Sequence, residues 1–336
     1  MIKILYIGNK LSKHGNTATS IETLGTFLEK ESFKLYYASS IKNKSLRICH
    51  MILMTIFYSK KVNYVLIDTY STSNFWYTVI ISQLCRVFSL KYIPNLRGGD
   101  LPNRLKKNSF LCNIVFKNAL VNIAPSSYLY NSFVDFGFNN VEYIPNTIEL
   151  QNYKYEVKTF DFPKILWVRS FSNIYNPILA VKVLIKLKQK YPNAKLCMVG
   201  PKKDESFEQT TKFAEANDVN VIFTGKLSKE EWINLSFDYN VFLNTTHFDN
   251  TPVSVIEAMA LGLPIVSTNV GGIPDLLENN KTALLVNDND LDNMVFQIER
   301  LFDEKFLAQN LSENSRKQVE NYDWSVVKNQ WKMLLK

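Results

Sequence analysis

Two periods alternate along the chain. Short apolar runs of strand length, MIKILYIG (1–8), FKLYYAS (33–39), YVLIDTY (64–70), KYIPNL (91–96), LVNIAPS (120–126) and VEYIPN (141–146), are separated by longer segments with apolar residues every three or four positions. The first such segment carries Ile21, Leu24, Phe27 and Leu28; others surround Leu46 to Tyr58, precede KYIPNL, and occupy SFLCNIVFKNA (109–119) and SSYLYNSFVDFG (126–137). This rhythm predicts an α/β fold with a parallel sheet covered by helices. A polar, aperiodic stretch, 148–163, then intervenes and ends in Pro163. Beyond it the alternation restarts. KILWVR (164–169), AKLCMVG (194–200), NVIFTG (220–225), YNVFLNT (239–245), LPIVST (263–268) and TALLV (282–286) read as strands, with helices starting near Pro177, Ser206, Lys229, Pro252 and Asp290. The double series predicts two α/β domains, 1–155 and 156–320, followed by a C-terminal helix, 321–336, packing near the domain junction. A single large sheet would have to absorb the polar break.

With 336 residues, 46% hydrophobic and 13% aromatic, the chain has the material for two packed cores and is too apolar for disorder. Its opening reads as a first strand rather than a cleavable leader, so a cytoplasmic location is expected. Cys49, Cys85, Cys112 and Cys197 lie far apart in apolar runs, without metal or disulfide spacing, and are expected as buried free thiols. The net charge of +8 is uneven: residues 1–150 hold 17 Lys/Arg against 8 Asp/Glu, and the remainder 22 against 23. The positive first half suits an anionic substrate, nucleic acid or an anionic membrane surface, or is a solubilising field. Nothing in it looks like a groove-reading or single-strand-binding module, so no nucleic-acid partner is expected. Residues 72–93 form the closest approach to a membrane segment, but Gln83 and Arg86 interrupt them; they read as a sheet-covering helix or as an interfacial contact.

The densest chemistry lies in TTHFDNTPVSVIEAMALGLPIVSTNVGG, residues 245–272. The preceding strand should deliver the loop to the carboxyl edge of its sheet, where open α/β sheets bind ligands. Thr251 can cap a helix with Pro252 in its first turn; Val253, Ile256 and Ala260 give that helix a buried side and Gly262 closes it. The N–H groups at its start suit a phosphate. Glu257, on its second turn, can accept two hydroxyl hydrogen bonds as a ribose would offer them, or be an ordinary exposed acid. Asp249, in the loop, can face the same ligand or cap the loop; Asn250 lies beside it. Gly271 and Gly272 form either an anion-binding nest or a plain turn. In the first half, Gly8, Gly15 and Asn16 form a looser glycine loop that matches neither G-x-G-x-x-G nor GxxxxGK[ST].

Through these residues the sequence resembles the retaining family 4 glycosyltransferases, most strongly from Trp167 to Asp275. That resemblance implies two facing Rossmann-like domains of GT-B type, and a reaction of the EC 2.4 class. A hexosyl or other glycosyl group would pass from a nucleoside-diphosphate-sugar to an acceptor hydroxyl with retention of anomeric configuration. It gives Glu257 the ribose, and Asp249, a methylene shorter than the usual glutamate, the sugar hydroxyls or the developing charge at the anomeric carbon. Arg169 retains the first of two basic phosphate-binding positions, while Ile174, Tyr175 and Asn176 stand where the second is expected; Lys202 or Lys226 is a candidate replacement. Gly15, Asn16, Gly200, His247, Asn250, Thr251, Pro252 and Val253 complete the implied donor set. On the acceptor side the resemblance points to His14, Arg97, Gly98, Gly99, Arg104 and Asn146. Arg97 occupies the neighbourhood where a histidine often stands and, with Asp249 and Arg169, is a catalytic candidate. Asn146 can also simply turn the chain after Pro145.

The resemblance also implies transfer without a cofactor or obligatory divalent ion. Asp288-Asn289-Asp290 is better read as the cap of a late helix than as a metal motif. His50, among apolar neighbours, reads as a structural histidine. The expected partners are an NDP-sugar and a saccharide or lipid-linked acceptor in bacterial surface-polysaccharide or glycolipid assembly, at the inner face of the cytoplasmic membrane. An NDP-sugar epimerase, a sugar phosphorylase, or a noncatalytic nucleotide-sugar-binding protein are the competing readings.

Overall fold

The computed structural model describes residues 1–15, 18–158 and 161–336 and divides into two compact units, Met1–Thr147 with Trp324–Lys336, and Ile148–Asp323. Among the described residues of the first unit, strands β1 (Lys3–Ile7), β2 (Lys34–Ala38), β3 (Tyr64–Thr69), β4 (Lys91–Leu96), β5 (Asn122–Ala124) and β6 (Val141–Tyr143) form one parallel sheet in the order β2-β1-β3-β4-β5-β6. Helices α1 (Ser20–Lys30), α2 (Lys44–Tyr58), α3 (Phe75–Val87), α4 (Leu101–Lys107), α5 (Ser109–Phe116) and α6 (Ser127–Asp135) connect them. The unbroken apolar character of β1 and β3 follows from burial on both faces: Ile4, Tyr6 and Leu66 pack with α1, while Leu5, Ile7, Val65 and Ile67 pack with α2 and α3.

One expectation changes here, that all four cysteines are buried: Cys49 is exposed, whereas Cys85, Cys112 and Cys197 are buried. Residues 101–107 form α4, with Pro102 tolerated in the first turn, where no intrahelical donor is lost. Within 72–93, Phe75–Val87 form α3, which buries Phe75, Tyr77, Val79, Ile81 and Cys85 over the sheet as a covering helix, and Lys91 opens β4. Among the described residues no helix is long and apolar enough to cross a membrane. The last helix, Trp324–Leu334, belongs with the first unit's core through Trp324, Val327 and Trp331. Trp324 stacks on Phe27 with ring centroids 5.1 Å apart and donates to Glu31 at 3.2 Å. Lys332, then Lys328, holds the Glu31 carboxyl below its usual range.

The second unit repeats the plan. Among its described residues, β7 (Lys164–Val168), β8 (Lys195–Val199), β9 (Ile222–Gly225), β10 (Val241–Asn244), β11 (Ile265–Thr268) and β12 (Leu284–Val286) form a parallel sheet in the order β12-β11-β10-β7-β8-β9. The helices are α7 (Pro177–Lys190), α8 (Ser206–Ala216), α9 (Lys229–Ser236), α10 (Val253–Leu261), α11 (Ile273–Leu276), α12 (Leu291–Asp303) and α13 (Leu307–Val319). Residues 148–155, placed by the sequence reading with the first domain, lie in this unit, where Ile148 and Tyr153 join the core packed on α10. These two side chains anchor the start of the polar break. In this sheet the strand sequence reverses direction between β7 and β10, and both strands end at the same edge. That is the topological switch point of a Rossmann-like sheet, where a crevice opens beyond the carboxyl ends.

Candidate functional site

Arg169 follows β7 directly and Asn244 ends β10, so the chain places both at the switch point of the second unit. The Arg169 guanidinium reaches Asn244 Oδ1 at 3.3 and 3.4 Å, lies 5.0 Å over the Tyr175 ring, and pairs through Nη2 with Asp249 Oδ2 at 2.6 Å. Both members of the ion pair are largely shielded, with side-chain exposures of 11% and 17%, so the pair is stronger than one in open solvent. Burial pushes the Tyr175 phenol above its usual pKa, and the Asp249 charge adds to this. Tyr175 therefore occupies, as a ring under the guanidinium, the neighbourhood where a second cation was sought.

Two buried threonines fix this geometry. Thr245 accepts from Trp167 Nε1 at 3.0 Å and donates to the Tyr175 carbonyl at 2.8 Å; Thr246 donates to the Phe248 carbonyl at 2.8 Å and to Ile174 O at 3.1 Å. They bind the loop after β10 to the loop after β7. Glycines supply the remaining clearance. A Cβ on Gly200 would stand 1.8 Å from the Arg169 carbonyl oxygen, at a φ of +153°. On Gly271 it would stand 2.1 Å from Asp249 O, and on Gly272 2.4 Å from Asn250 O. Gly272 N donates to Asp249 O at 2.9 Å. Thus the glycine pair lets two backbones touch and holds the acidic loop, and the Gly272 amide is spent on that contact.

Helix α10 begins one residue later than expected. Pro252 is its N-cap, with φ −69° and ψ 121°, and Thr251 stands outside it; Gly262 closes it at φ +75°. The helix is buried on nearly every side, but Val253, expected inside, is exposed. Ser254 Oγ, in the first turn, is shielded from solvent and has no hydrogen-bond partner among the described residues. Glu257 is a buried acid rather than a surface one. Its Oε1 accepts from Tyr153 Oη at 2.8 Å and pairs with Lys229 Nζ from the start of α9. The carboxylate is 5% exposed and the lysine 54%, so the ammonium covers a carboxylate that the helix holds inside. Burial, and then the Glu257 charge, raises the Tyr153 phenol far above its normal range, which keeps it a donor.

The other donor-side candidates divide. His247 Nδ1 meets Asp288 at 2.8 Å, so the first Asp of the 288–290 motif pairs with the histidine while Asp290 caps α12 through Asn293 N at 3.1 Å. Lys202 points elsewhere than Arg169: it lies 3.7 Å over the Phe207 ring and 3.7 Å from Glu208. Lys226 follows β9 and is exposed. Besides Arg169, the cation that the structure brings to a site carboxylate is Lys229, which the sequence reading used only to start a helix. Among the described residues there is no group of three or more His, Cys, Asp or Glu side chains placed to hold a metal.

In the first unit, β1 and β3 flank that sheet's own switch point. Asp68, at the end of β3, is fully buried and accepts from Tyr6 Oη at 3.0 Å, Asn95 Nδ2 at 3.1 Å and Ile21 N, in the first turn of α1, at 3.1 Å. Desolvation raises its pKa to about 6, with Arg97 opposing. Arg97 Nε lies 3.9 Å from Asp68, and Nη1 donates to Asn146 Oδ1, so two acceptor-side candidates meet. Gly98 is needed for packing, since its Cβ would stand 2.2 Å from Ser71 N; Gly99 is half-buried beside it. Arg104 sits on α4, stacks 4.7 Å over Phe75 and donates to Ser71 O at 2.8 and 2.5 Å, which gives it a structural task. His14 Nε2 meets Ser40 O at 3.0 Å, and Gly15 ends that turn at φ +83°. Asn16 lies outside the described residues. His50 bonds Ser39 Oγ at 2.9 Å, as a satisfied histidine does. The Asp68 cluster went unpredicted; its one sequence signal was a carboxylate ending an otherwise apolar strand.

Residues 154–318 match the family model of glycosyl transferases group 1. Over 149 residues the chain is 30% identical to the capsular polysaccharide biosynthesis glycosyltransferase CapM of Staphylococcus aureus, covering 44% of this chain and 38% of CapM. The chain spans less than half the length of most curated relatives it matches. Among solved structures, sucrose-phosphate synthase from Thermosynechococcus elongatus superposes with a TM-score of 0.83 at 16% identity, covering 99% of this chain and 98% of that one. Anabaena HepE, in complex with UDP and glucose, gives 0.80 at 14% identity, covering 100% and 99%. Two Rossmann-like units with parallel sheets are the GT-B fold. The chain thus has the GT-B fold, and its second unit is similar in sequence to group 1 glycosyl transferases.

Proposed function

We propose that this protein transfers a sugar from a nucleoside-diphosphate-sugar to an acceptor hydroxyl with retention of configuration, in the assembly of a cell-surface polysaccharide or glycolipid. One observation carries the reading: a shielded Arg169–Asp249 pair stands at the switch point of the family-matching unit. Arg169, fixed by Asn244 and Tyr175, presents planar donors to the diphosphate and offsets the charge that grows on it as the glycosidic bond breaks. Asp249 exchanges part of its hold on Arg169 for sugar hydroxyls and faces the positive charge developing at the anomeric carbon. Glu257 takes the ribose hydroxyls, with Tyr153 orienting its carboxylate and Lys229 moving aside. The acceptor attacks from the face the diphosphate leaves, and a departing phosphate oxygen takes its proton, so no enzyme base is required. Arg97 and Asn146 belong to acceptor recognition in the first unit, and the acceptor is a saccharide or a lipid-linked saccharide.

The test is a panel of NDP-sugars incubated with membrane-lipid and saccharide acceptors, with products followed by mass spectrometry and anomeric NMR. A new glycoside with the donor's anomeric configuration, formed together with free NDP, supports the proposal. Epimerised donor, sugar phosphate, or nucleotide binding without transfer across the panel would replace it.

A further inference from the structure

The Asp68 cluster is arranged around one titratable carboxyl. From β1, Tyr6 Oη donates to it; from β4, Asn95 Nδ2 does; from the first turn of α1, the Ile21 amide does. Gly8, after β1, leaves room for the carboxylate, since a Cβ there would stand 2.8 Å from Oδ2. Two further groups sense its charge, Arg97 after β4 and Tyr70 just beyond β3. Burial raises the phenols of Tyr6 and Tyr70, and the Asp68 charge raises both further, so neither ionises where a carboxyl titrates. Arginine keeps its charge throughout.

The hydrogen bonds show where a proton fits. Asn95 Nδ2 and Ile21 N can only donate, whereas the Tyr6 hydroxyl can turn. Tyr6 Oη lies 2.9 Å from Ser20 Oγ. A protonated Asp68 therefore donates to Tyr6 Oη, and Tyr6 redirects its own proton to Ser20 Oγ. Ser20 is half-buried at the start of α1, so the chain Asp68, Tyr6, Ser20 leads from the buried carboxyl toward solvent. Desolvation lifts the Asp68 pKa to about 6 against the pull of Arg97, which brings the exchange just below neutral pH. Its consequence falls on Arg97. The Arg97 side chain is 18% exposed, and its Nε is shielded, without a hydrogen-bond partner among the described residues, 3.9 Å from Asp68 Oδ1. Through Nη1 the same guanidinium donates to Asn146 Oδ1. Neutralising Asp68 removes the counter-charge from a guanidinium that solvent reaches poorly, and such a group gives up its position.

We infer that Asp68 is a proton-operated positioning residue of the acceptor side: charged, it holds Arg97 in the attitude that meets Asn146; protonated, it releases Arg97 and weakens acceptor binding. The inference rests on the proposed acceptor role of Arg97 and adds a regulation to it, through a carboxyl that touches no substrate.

Protein carrying nitrogen-15-labelled arginine tests the link without any acceptor. The shielded Arg97 Nε–H gives an NMR signal, identified by its loss in Arg97→Lys. In the parent that signal should shift between about pH 5 and about pH 7.5 with a midpoint of about 6. It should stay fixed in Asp68→Asn. Tyr6→Phe removes a donor to the carboxylate and should move the midpoint upward. With the acceptor returned by the transfer panel, the parent's acceptor KM should rise on the order of tenfold as pH falls across this range, and Asp68→Asn should show the raised KM throughout. Parent and variant should bind NDP equally at each pH. An Arg97 signal that ignores pH, one that shifts alike in Asp68→Asn, or an acceptor KM with the same pH profile in parent and variant would each overturn the inference. The parent titration needs no substitution at Asp68, so a variant that fails to fold does not decide the matter. Transfer absent across the panel while the Arg97 signal titrates would count against the transferase reading alone, and transfer beside an unresponsive Arg97 against this inference alone.

Discussion

Replacing Glu257 by Gln keeps the shape of the side chain and removes its charge. In the free protein two interactions change. The Tyr153 hydrogen bond, 2.8 Å and buried, loses its charge assistance, which costs about 1 kcal/mol. The Lys229 ion pair is lost as well, but that lysine is 54% exposed, and solvent screening limits its worth to about 0.5 kcal/mol. Stability should therefore fall by only about 1–2 kcal/mol, and the protein stays folded. Bound nucleotide loses more: two ribose hydroxyls that donated to a carboxylate meet an amide with one acceptor, a loss of about 1.5–3 kcal/mol. The dissociation constant for NDP should rise roughly 10–150-fold. Calorimetric titration measures this, and 2′-deoxy-NDP isolates the cause. The parent should bind the deoxy ligand more weakly than NDP, and the substitution should then make little further difference. Parental affinity for NDP in the variant, or an equal loss with both ligands, would refute the ribose assignment.

Asp249→Asn should lower turnover by at least about tenfold while NDP affinity changes little, and Arg169→Ala should weaken NDP binding by about 1.5–3 kcal/mol; titration beside single-turnover transfer separates the two. Gly200→Ala forces a Cβ against the Arg169 carbonyl and should cost about 3 kcal/mol or more, read as a lower urea midpoint together with weaker NDP binding. Asp68 has a folded pKa raised to about 6, so the native state holds its proton where the unfolded chain has released it. Its contribution is therefore lost as pH rises from about 4 to about 6, on the order of 2–3 kcal/mol, and urea unfolding of Asp68→Asn against the parent should show that much less decline across the interval.

The alternation of apolar runs and helical segments announced both sheets, because strands buried on two faces leave continuous apolar stretches such as KILYI and YVLIDT. Tyr6, which belongs to the first of these, shows the limit: its ring reads as core, but its hydroxyl reaches a carboxylate 62 positions on. Asp68, Asn95 and Tyr6 become a cluster only when three adjacent strands align their ends, which no local pattern encodes. Tyr153 was hidden for a related reason: it lies in a stretch with no period of its own, and only its packing against α10 reveals it. Arg169 and Asp249 stood out because each follows an obvious strand, and strand order brings those two ends together. Lys229 looked like the start of a helix, and is; that it also covers Glu257 depends on where α9 lies beside α10. The glycine pair at 271–272 was legible as a requirement for close backbone approach, but not as to whose backbone approaches.

The central claim is that the end of β7 and helix α10 together form the seat of an NDP-linked sugar, and a crystal structure with the donor bound examines it most directly. The account predicts diphosphate oxygens within hydrogen-bond distance of Arg169 and ribose hydroxyls on Glu257, with Lys229 displaced from the carboxylate. Nucleotide density away from these residues, or a bound donor that leaves both Arg169 and Glu257 untouched, would contradict it.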